Sequence, residues 1–382
     1  MTDDMNLEMN FEELLAICPL ALEVYKQRGL NDVISLYDIG NILSTNHHYA
    51  EAAFLFKLAF NKHSKSPSEY PLAHILWMIR IVALVKGQLP IKDEEMNQLK
   101  SLSLPFYNYI MGWRSYLNNK NAMDAIQWMG NCYEEFPTGE EADRIYLSIM
   151  KDIFNNNLEF GFRKRRLNKA DFNIIPNNLF LYWDENPPEE ISNNFKYLKE
   201  LGHFNLKIFD KAEATEWLYQ NYGVETRHIF LNARHPAEAA DFFRTHVINY
   251  YGGWWLDADI QIQSIEKFFS VIPSIYEQVF FLTDNNVVHN DFFGSVANSQ
   301  ILNDCLLTLY NNSYVHKDMF IAYKTGPGIF NRAINRTFYR ALRGEAKKPS
   351  CILLDYKKFW EVIREFDTPY KTSTAHWQTA SN

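Results

Sequence analysis

The sequence predicts two domains, an all-helical domain over residues 1–166 and an α/β domain over residues 167–382. The length of 382 residues exceeds what one ordinary hydrophobic core serves. In the first part, apolar residues recur at steps of three and four, which is typical of helices. After Lys169, short apolar runs alternate with segments of helical spacing, which predicts a mixed sheet with helices on its faces.

The helical part contains one stretch with the spacing of a helical hairpin. Its packing positions are Leu36, Ile39, Gly40 and Leu43 on a first helix and Ala52, Phe56 and Ala59 on a second. This stretch resembles a tetratricopeptide repeat, with Pro67 near the place of the closing proline, and a weaker echo runs over 107–137. Any helical hairpin needs small residues where its helices cross, so a generic helical domain stays an equal alternative.

The second part reads as alternating elements. Strands are predicted over 174–183, 207–209 and 254–262, and helices over 213–222 and 237–250. Pro236 suits the first turn of the second helix, and Gly252-Gly253 suits its end. The domain boundary is predicted near Leu167.

Composition excludes several classes of protein. With 47% hydrophobic and 22% charged residues the chain is a folded globular protein, and its net charge of -8 argues against nucleic-acid binding. The short basic run at 163–166 is interpreted as a solvated interdomain segment. The four cysteines lie far apart and read as free thiols of a reducing compartment.

The sequence shows no conventional targeting segment. The acidic start, MTDDMNLEMNFEELL, lacks the layout of a signal peptide, and no apolar run is long enough for a transmembrane segment. We therefore expect a cytoplasmic location, with export through an unconventional signal as an open alternative.

The candidate chemistry centres on Asp257 and Asp259. On one strand over 254–262, residues two apart share a face, so both carboxylates are expected to emerge side by side. Neighbouring carboxylates repel each other unless a cation lies beside them, and Mn²⁺ or Mg²⁺ commonly binds through few carboxylates plus substrate phosphates. The alternative is a solvated strand edge, which the Asp-x-Asp tripeptide alone would favour.

The surroundings of the Asp-x-Asp carry a more specific pattern. The ordered elements are Asp241-Phe242-Phe243-Arg244, Gly252-Gly253, Trp254 and Asp257-Ala258-Asp259. This set resembles the DXD-motif sugar transferase superfamily, which includes glycosyltransferase family 32 and the glucosylating clostridial toxins. Taken alone, Asp241 and Arg244 could form only a local ion pair on one helix face.

The resemblance, which covers about residues 174–382, implies a GT-A-type nucleotide-binding sheet and a nucleotide-diphosphate sugar as donor. It implies that Asp259 is the main ligand of Mn²⁺ or Mg²⁺ and that Asp257 contacts the metal or the ribose. It also implies that Asp241 and Arg244 hold the hydroxyls of the donor sugar. The guanidinium of Arg244 could also offset charge on the diphosphate.

Further segments are similar to the same superfamily. Residues 175–183 look like its opening strand, which implies that Trp183 stacks on the nucleotide base, with a core tryptophan as the equal alternative. Thr325 and Gly326 begin a segment that resembles the superfamily's Thr-Gly-Pro loop near the acceptor side, and Asn290 lies in a segment that resembles the one supplying polar groups beside the donor sugar. Each of these segments could also be only a turn.

The end of the sequence offers candidates for a third metal ligand. Family members often end in His-His-Trp and Gly-Ser-Trp, and this sequence has His376-Trp377 but no Gly-Ser-Trp. The resemblance therefore implies His376 as third metal ligand or diphosphate contact, with Ser381 and Asn382 as substitutes.

The prediction is a hexosyltransferase that retains anomeric configuration, a property implied by the resemblance. A UDP-sugar is the first expectation for the donor and GDP-mannose the second. The acceptor is a glycan or a protein, and the helical domain is a candidate site for a protein partner. Two alternatives stay open: an inactive adaptor that binds through the helical domain, and a metal-dependent phosphohydrolase.

Overall fold

The computed structural model describes residues 10–67, 71–139, 141–161 and 174–373. The chain forms two compact units, residues 1–135 and residues 136–382. The predicted boundary near Leu167 lies outside the described residues. The helix Glu141–Gly161, which precedes that predicted boundary, belongs to the second unit.

The described elements of the first unit are all helical. A short 3-10 helix over Cys132–Glu135 follows the last α-helix. The α-helices are α1 (Phe11–Leu15), α2 (Pro19–Arg28), α3 (Val33–Thr45), α4 (Tyr49–His63), α5 (Ala73–Lys86), α6 (Asp93–Leu102), α7 (Leu104–Asn119) and α8 (Ala122–Met129).

Two helical hairpins of this unit pack through glycines that the sequence singled out. In α3 and α4, a Cβ added at Gly40 would lie 2.6 Å from the ring of Phe56. In α7 and α8, a Cβ at Gly112 would lie 2.6 Å from the backbone oxygen of Ala125. Glycine therefore lets both helix pairs approach closely. The tetratricopeptide-like character of the domain stays a prediction.

The second unit is a mixed α/β structure. Its helices are α9 (Glu141–Gly161), α10 (Glu189–Glu200), α11 (Lys211–Tyr222), α12 (Val224–Leu231), α13 (Pro236–Tyr251), α14 (Ile265–Val271), α15 (Gln300–Val315), α16 (Ile321–Lys324), α17 (Pro327–Leu342), α18 (Tyr356–Val362) and α19 (Tyr370–Ser373). Its strands are β1 (Asn178–Tyr182), β2 (Asn205–Phe209), β3 (Gly253–Leu256), β4 (Ile260–Ile262), β5 (Gln278–Phe281), β6 (Phe292–Ser295), β7 (Cys351–Leu354) and β8 (Ile363–Glu365).

Six strands form the main sheet, in the order β2-β1-β3-β6-β5-β7. The pairs β1–β2, β1–β3 and β5–β7 are parallel, whereas β6 runs antiparallel to both β3 and β5. The strands β4 and β8 form a separate antiparallel pair. The carboxyl ends of β1 and β3 and the amino end of β6 therefore meet at one edge of the main sheet.

The strand predicted over 254–262 is wrong as a single element. The chain leaves the main sheet after Leu256, turns through residues 257–259 and enters the small sheet at Ile260. All residues of β3 before the turn and all residues of β4 after it are buried. Burial therefore does not alternate from residue to residue, as it would along one strand with a solvent-facing side. Asp257 and Asp259 therefore lie on a turn between two sheets, and not on one strand face.

The helix α9 is anchored to α17 by buried polar contacts within the second unit. The carboxylate of Asp143 is fully buried and accepts hydrogen bonds from Arg332 at 3.1 and 3.2 Å. The amide of Asn335 donates to the backbone oxygen of Asp143 at 3.0 Å. A buried charge needs such partners, because an isolated carboxylate would lose most of its solvation.

Two expectations from composition can be compared with the described residues. All four cysteines are buried and free of disulfides. Within the described ranges, no helix combines the length and the apolar character that crossing a membrane requires.

Candidate functional site

The candidate site lies at the edge of the main sheet where β1, β3 and β6 bring polar residues together. Trp183 follows β1, Asp257 follows β3, and Asn290 with Asp291 precedes β6. The backbone N–H of Asp257 donates to the backbone oxygen of Asp291 at 2.8 Å, and this bond joins the segment after β3 to the segment before β6. Ligand sites of open α/β sheets commonly lie at the carboxyl ends of the strands.

The helix α13 carries Asp241 and Arg244 to this edge. It begins as predicted: His235 is the N-cap and accepts from the backbone N–H of Ala237, and Pro236 occupies the first turn. Gly252 and Gly253 have φ of +66° and +129°, values that L-residues with a side chain rarely adopt. A Cβ at Gly253 would also lie 2.6 Å from the backbone oxygen of Asn178. Glycine therefore permits the turn from α13 into β3.

Arg244 is the centre of the site. Its guanidinium is 4% exposed and lies 3.0 Å from Asp241 Oδ1 and 2.8 Å from Asp257 Oδ1. It also donates to the backbone oxygen of Asn290 at 2.7 Å and lies over the ring of Trp255 at 5.3 Å. One buried cation therefore links α13, the turn after β3 and the segment before β6. Arg244 thus makes more contacts than the local ion pair with Asp241 that the sequence analysis kept as an alternative.

Asp241 collects three of the residues that the sequence resemblance selected. Asn290 Nδ2 donates to Asp241 Oδ1 at 2.8 Å, and Thr325 Oγ1 donates to Oδ2 at 3.3 Å. A Cβ at Gly326 would lie 3.0 Å from the same Oδ2. Burial raises the pKa of Asp241 to about 6, although the charge of Arg244 and these hydrogen bonds oppose the shift.

Asp257 is held firmly and is surrounded by charge. Trp255 Nε1 donates to its Oδ1 at 2.6 Å, and Arg244 contacts both of its carboxylate oxygens. Burial raises the pKa of Asp257 to about 8; Arg244 opposes that shift, and the carboxylates of Asp259 and Asp291 add to it. The carboxyl groups of Asp257, Asp259 and Asp291 therefore influence one another, with the guanidinium of Arg244 beside them.

Asn194 of α10 fixes the turn that carries the two aspartates. Its Nδ2 donates to the backbone oxygens of Ala258 and Ile260, both at 2.9 Å, and its Oδ1 accepts from Gln261 at 2.9 Å. Asn194 is only 1% exposed, so these bonds satisfy a polar side chain in the core. The fold positions the turn through a helix more than 60 residues earlier in the chain.

Asp259 faces the segment that contains α19. Its Oδ2 lies 2.8 Å from Lys371 Nζ and 3.5 Å from the hydroxyl of Tyr370. The side chain of Asp259 is 27% exposed, so it borders solvent more than Arg244 does. Within the described residues this carboxylate thus has an ammonium group beside it, which offsets its negative charge.

Asp257 and Asp259 offer carboxylate oxygens to a divalent cation, and in this structure Arg244 contacts the first and Lys371 the second. Carboxylate oxygens are the ligands that Mn²⁺ and Mg²⁺ prefer, and these ions often use one or two protein carboxylates plus substrate phosphates. No three His, Cys, Asp or Glu side chains in the described part of the chain come together as a metal-binding group. An all-protein metal cage therefore does not fit these residues. His376, Ser381 and Asn382, the predicted further ligands, lie outside the described residues.

Trp183 lies next to the same segment. It is half-buried, its Nε1 donates to the oxygen of Glu185 at 3.1 Å, and its ring meets that of Tyr370 edge-on at 5.3 Å. The indole also packs against the hydrophobic core of the unit. The packing of Trp183 against the core is therefore observed, and its stacking on a nucleotide base stays a prediction.

The structure brings Asp241, Arg244, Asp257, Asn290, Thr325 and Gly326 together, and it brings Trp183 and Asp259 together through Tyr370 and Lys371. The sequence interpretation missed Asn194, Tyr370 and Lys371. None of them stands in a local motif, and each reaches the site from a distant segment. The roles of the predicted site residues stay predictions.

Comparisons with known proteins add little to this geometry. No protein-family model and no curated protein matches the sequence. Among solved structures, the chain is similar to one described as "PaToxG Glycosyltransferase", with 14% sequence identity, covering 57% of this chain and 92% of that chain, at a TM-score of 0.32. A similarity of this size does not assign the chain to a family.

Proposed function

We propose that this chain is a metal-dependent glycosyltransferase that moves a sugar from a nucleotide diphosphate to an acceptor. The observation that carries the proposal is the buried guanidinium of Arg244, which joins Asp241 of α13 to Asp257 of the turn. This pairing connects the Asp-x-x-Arg to the Asp-x-Asp, the two parts of the sequence pattern. We propose a GT-A-type architecture for the same unit, on the basis of its mixed sheet and the position of the site.

Asp241 is proposed to accept a hydrogen bond from a hydroxyl of the donor sugar. A carboxylate offers about four lone-pair positions, and Asp241 uses three of them toward Asn290, Thr325 and Arg244. One position is then available to a sugar hydroxyl. Arg244 would keep this carboxylate and that of Asp257 in fixed orientations, which reduces the reorganisation needed during the reaction.

Asp257 and Asp259 are proposed to hold Mn²⁺ or Mg²⁺ together with the diphosphate of the donor. When bound, the cation would supply charge stabilisation for the departing diphosphate. Burial is the main reason that the pKa of Asp257 is raised; the carboxylates of Asp259 and Asp291, which add to the shift, support this role because they favour added positive charge. Trp183 is proposed to stack on the base.

We propose a UDP-sugar as donor, with GDP-mannose as the second choice, and retention of anomeric configuration. The acceptor is proposed to be a glycan or a protein side chain, and the helical unit is a candidate site for a protein partner. These finer assignments rest on the sequence resemblance. A cytoplasmic location is likewise a proposal.

Two other functions compete with this proposal. An inactive adaptor would not need a buried Arg244 paired with both Asp241 and Asp257, since burying those charges costs stability. A phosphohydrolase with two metal ions would need additional Asp or His ligands, and the described residues contain no group of three. Both observations favour the transferase.

The first experiment measures thermal stability with Mn²⁺ and a panel of nucleoside diphosphates. A ligand that binds only the native state and is present at a concentration 100 times its Kd should stabilise that state by about 2.7 kcal/mol and raise the Tm. We expect UDP with Mn²⁺ to produce the largest shift. If no nucleotide changes the Tm, with or without metal, the adaptor function becomes the better explanation.

The second experiment measures sugar transfer and donor hydrolysis by mass spectrometry after incubation with mixed nucleotide sugars and candidate acceptors. The double variant Asp257→Asn with Asp259→Asn should lose both activities while remaining folded. Asp318→Asn, at an exposed position of the same unit, is the matched control and should keep both. Retained turnover in the double variant would move the metal site elsewhere.

A further inference from the structure

The segment around α19 brings a lysine into the proposed metal site. Lys371 Nζ lies 2.8 Å from Asp259 Oδ2, and the two side chains are 43% and 27% exposed. Nothing in the sequence pattern pointed to this contact. The contact matters because it places a monovalent cation on the oxygen that the proposed function assigns to a divalent one.

The backbone beside Lys371 is tied to the site by its neighbour Tyr370. The ring of Tyr370 meets Trp183 edge-on at 5.3 Å, and its backbone N–H donates to Glu190 Oε1 at 3.3 Å. The lysine side chain itself is a flexible four-carbon stem that ends in a compact charge. The ammonium can therefore leave Asp259 by side-chain rotation while the segment stays against Trp183.

The ammonium of Lys371 lies among several charged side chains of the site. Asp257, Asp259 and Asp291 carry up to three negative charges, and the buried guanidinium of Arg244 is already shared between Asp241 and Asp257. Lys371 is the cation in contact with Asp259. A divalent ion and an ammonium repel each other strongly at contact distance from one oxygen, so both cannot occupy Oδ2 together.

We propose that Lys371 is the resident counter-cation of Asp259 and moves to a phosphate oxygen of the donor when a divalent ion takes its place. The inference rests on the proposed function and adds a positioning residue to it. Before donor binding, Lys371 offsets the repulsion among the carboxylates. After the exchange, its charge lies beside the diphosphate and favours nucleotide binding. The same side chain therefore opposes binding of the free metal and supports binding of the nucleotide.

The test compares Lys371→Met with the unaltered chain by isothermal titration calorimetry. Removal of the competing ammonium should tighten the binding of Mn²⁺ alone by about 1.5-fold to fivefold, the range expected for a partly exposed charge pair. At saturating Mn²⁺, the same variant should bind UDP about threefold to tenfold more weakly. A residue with only a structural role would weaken both or change neither.

Two further variants sharpen the test. Lys371→Arg keeps the charge, so its affinities for Mn²⁺ alone and for UDP should stay close to those of the unaltered chain. Lys358→Met removes another exposed lysine, which pairs with Glu361 at 2.9 Å, and should change neither affinity. Opposite changes in the two affinities for Lys371→Met alone support the inference, and any other pattern in that variant overturns it. If the unaltered chain does not bind UDP with Mn²⁺, the proposed function itself fails. If it binds UDP and only the pattern for Lys371→Met is wrong, the inference about Lys371 fails alone.

Discussion

Asn194→Leu tests whether the turn between the two sheets is held by the side chain of α10. Leucine is close to asparagine in size but can neither donate nor accept a hydrogen bond. The change would leave three polar groups without their partner: the oxygens of Ala258 and Ile260 and the amide of Gln261. Each buried group left unpaired costs about 1–3 kcal/mol, partly offset by water entry and by the apolar side chain.

We therefore expect Asn194→Leu to lower the free energy of unfolding by about 2–5 kcal/mol. For a unit of this size, that loss corresponds to a Tm decrease of roughly 5–15 °C. The turn should also lose its fixed geometry, so the stabilisation by Mn²⁺ and UDP should shrink. Urea denaturation and thermal unfolding, each with and without the ligands, measure the two effects separately.

Asn249→Leu is the matched control for Asn194→Leu. Asn249 is also buried, but its side chain bonds to Asn303 Oδ1, at 2.8 Å, and to Tyr222 instead of the turn, and it lies near the carboxyl end of α13. We expect a loss of about 1 kcal/mol and an unchanged response to Mn²⁺ and UDP. The reasoning about the turn would be refuted if Asn194→Leu lost no more stability than this control and kept the full ligand response.

Three other predictions follow from the contacts described above. Because the pKa of Asp257 rises from 3.8 to about 8, its contribution to stability is present below about pH 4 and is lost as the pH rises toward 8; denaturation of the metal-free protein across this range should show the decline, and Asp257→Asn should flatten it. Gly112→Ala should destabilise the helical unit by about 1–3 kcal/mol through contact with the backbone of Ala125, measured by urea denaturation, whereas the exposed Asn118→Ala on the same helix should not. Trp183→Ala should weaken UDP binding by about 1–3 kcal/mol in calorimetry; an unchanged affinity with a lower Tm would assign Trp183 to the core.

The sequence was a good guide wherever the signal was local. Pro236 and Gly252 delimit α13 through backbone chemistry that a few residues determine, so the helix and its end were predictable. The mixed α/β character of the second unit followed from the change in apolar spacing. The spacing of Gly40 likewise indicated a closely packed hairpin.

The errors and omissions concern contacts between distant segments. Ile260 and Ile262 alternate as a continued strand would, and only their pairing with β8, about 100 residues later, shows that they belong to another sheet. Lys371 reaches Asp259 across a similar separation. No periodicity in one segment encodes such a contact, because side chains far apart in sequence decide it.

The small sheet of β4 and β8 leads us to expect that the candidate site forms late in folding. Ile260 and Ile262 pair with Glu365 and Ile363, and closing so long a loop costs entropy before any contact rewards it. The turn with Asp257 and Asp259 lies directly before β4, so we expect this pairing and the bonds from Asn194 to complete its shape together. In refolding experiments, recovery of helical circular dichroism should therefore precede recovery of nucleotide binding.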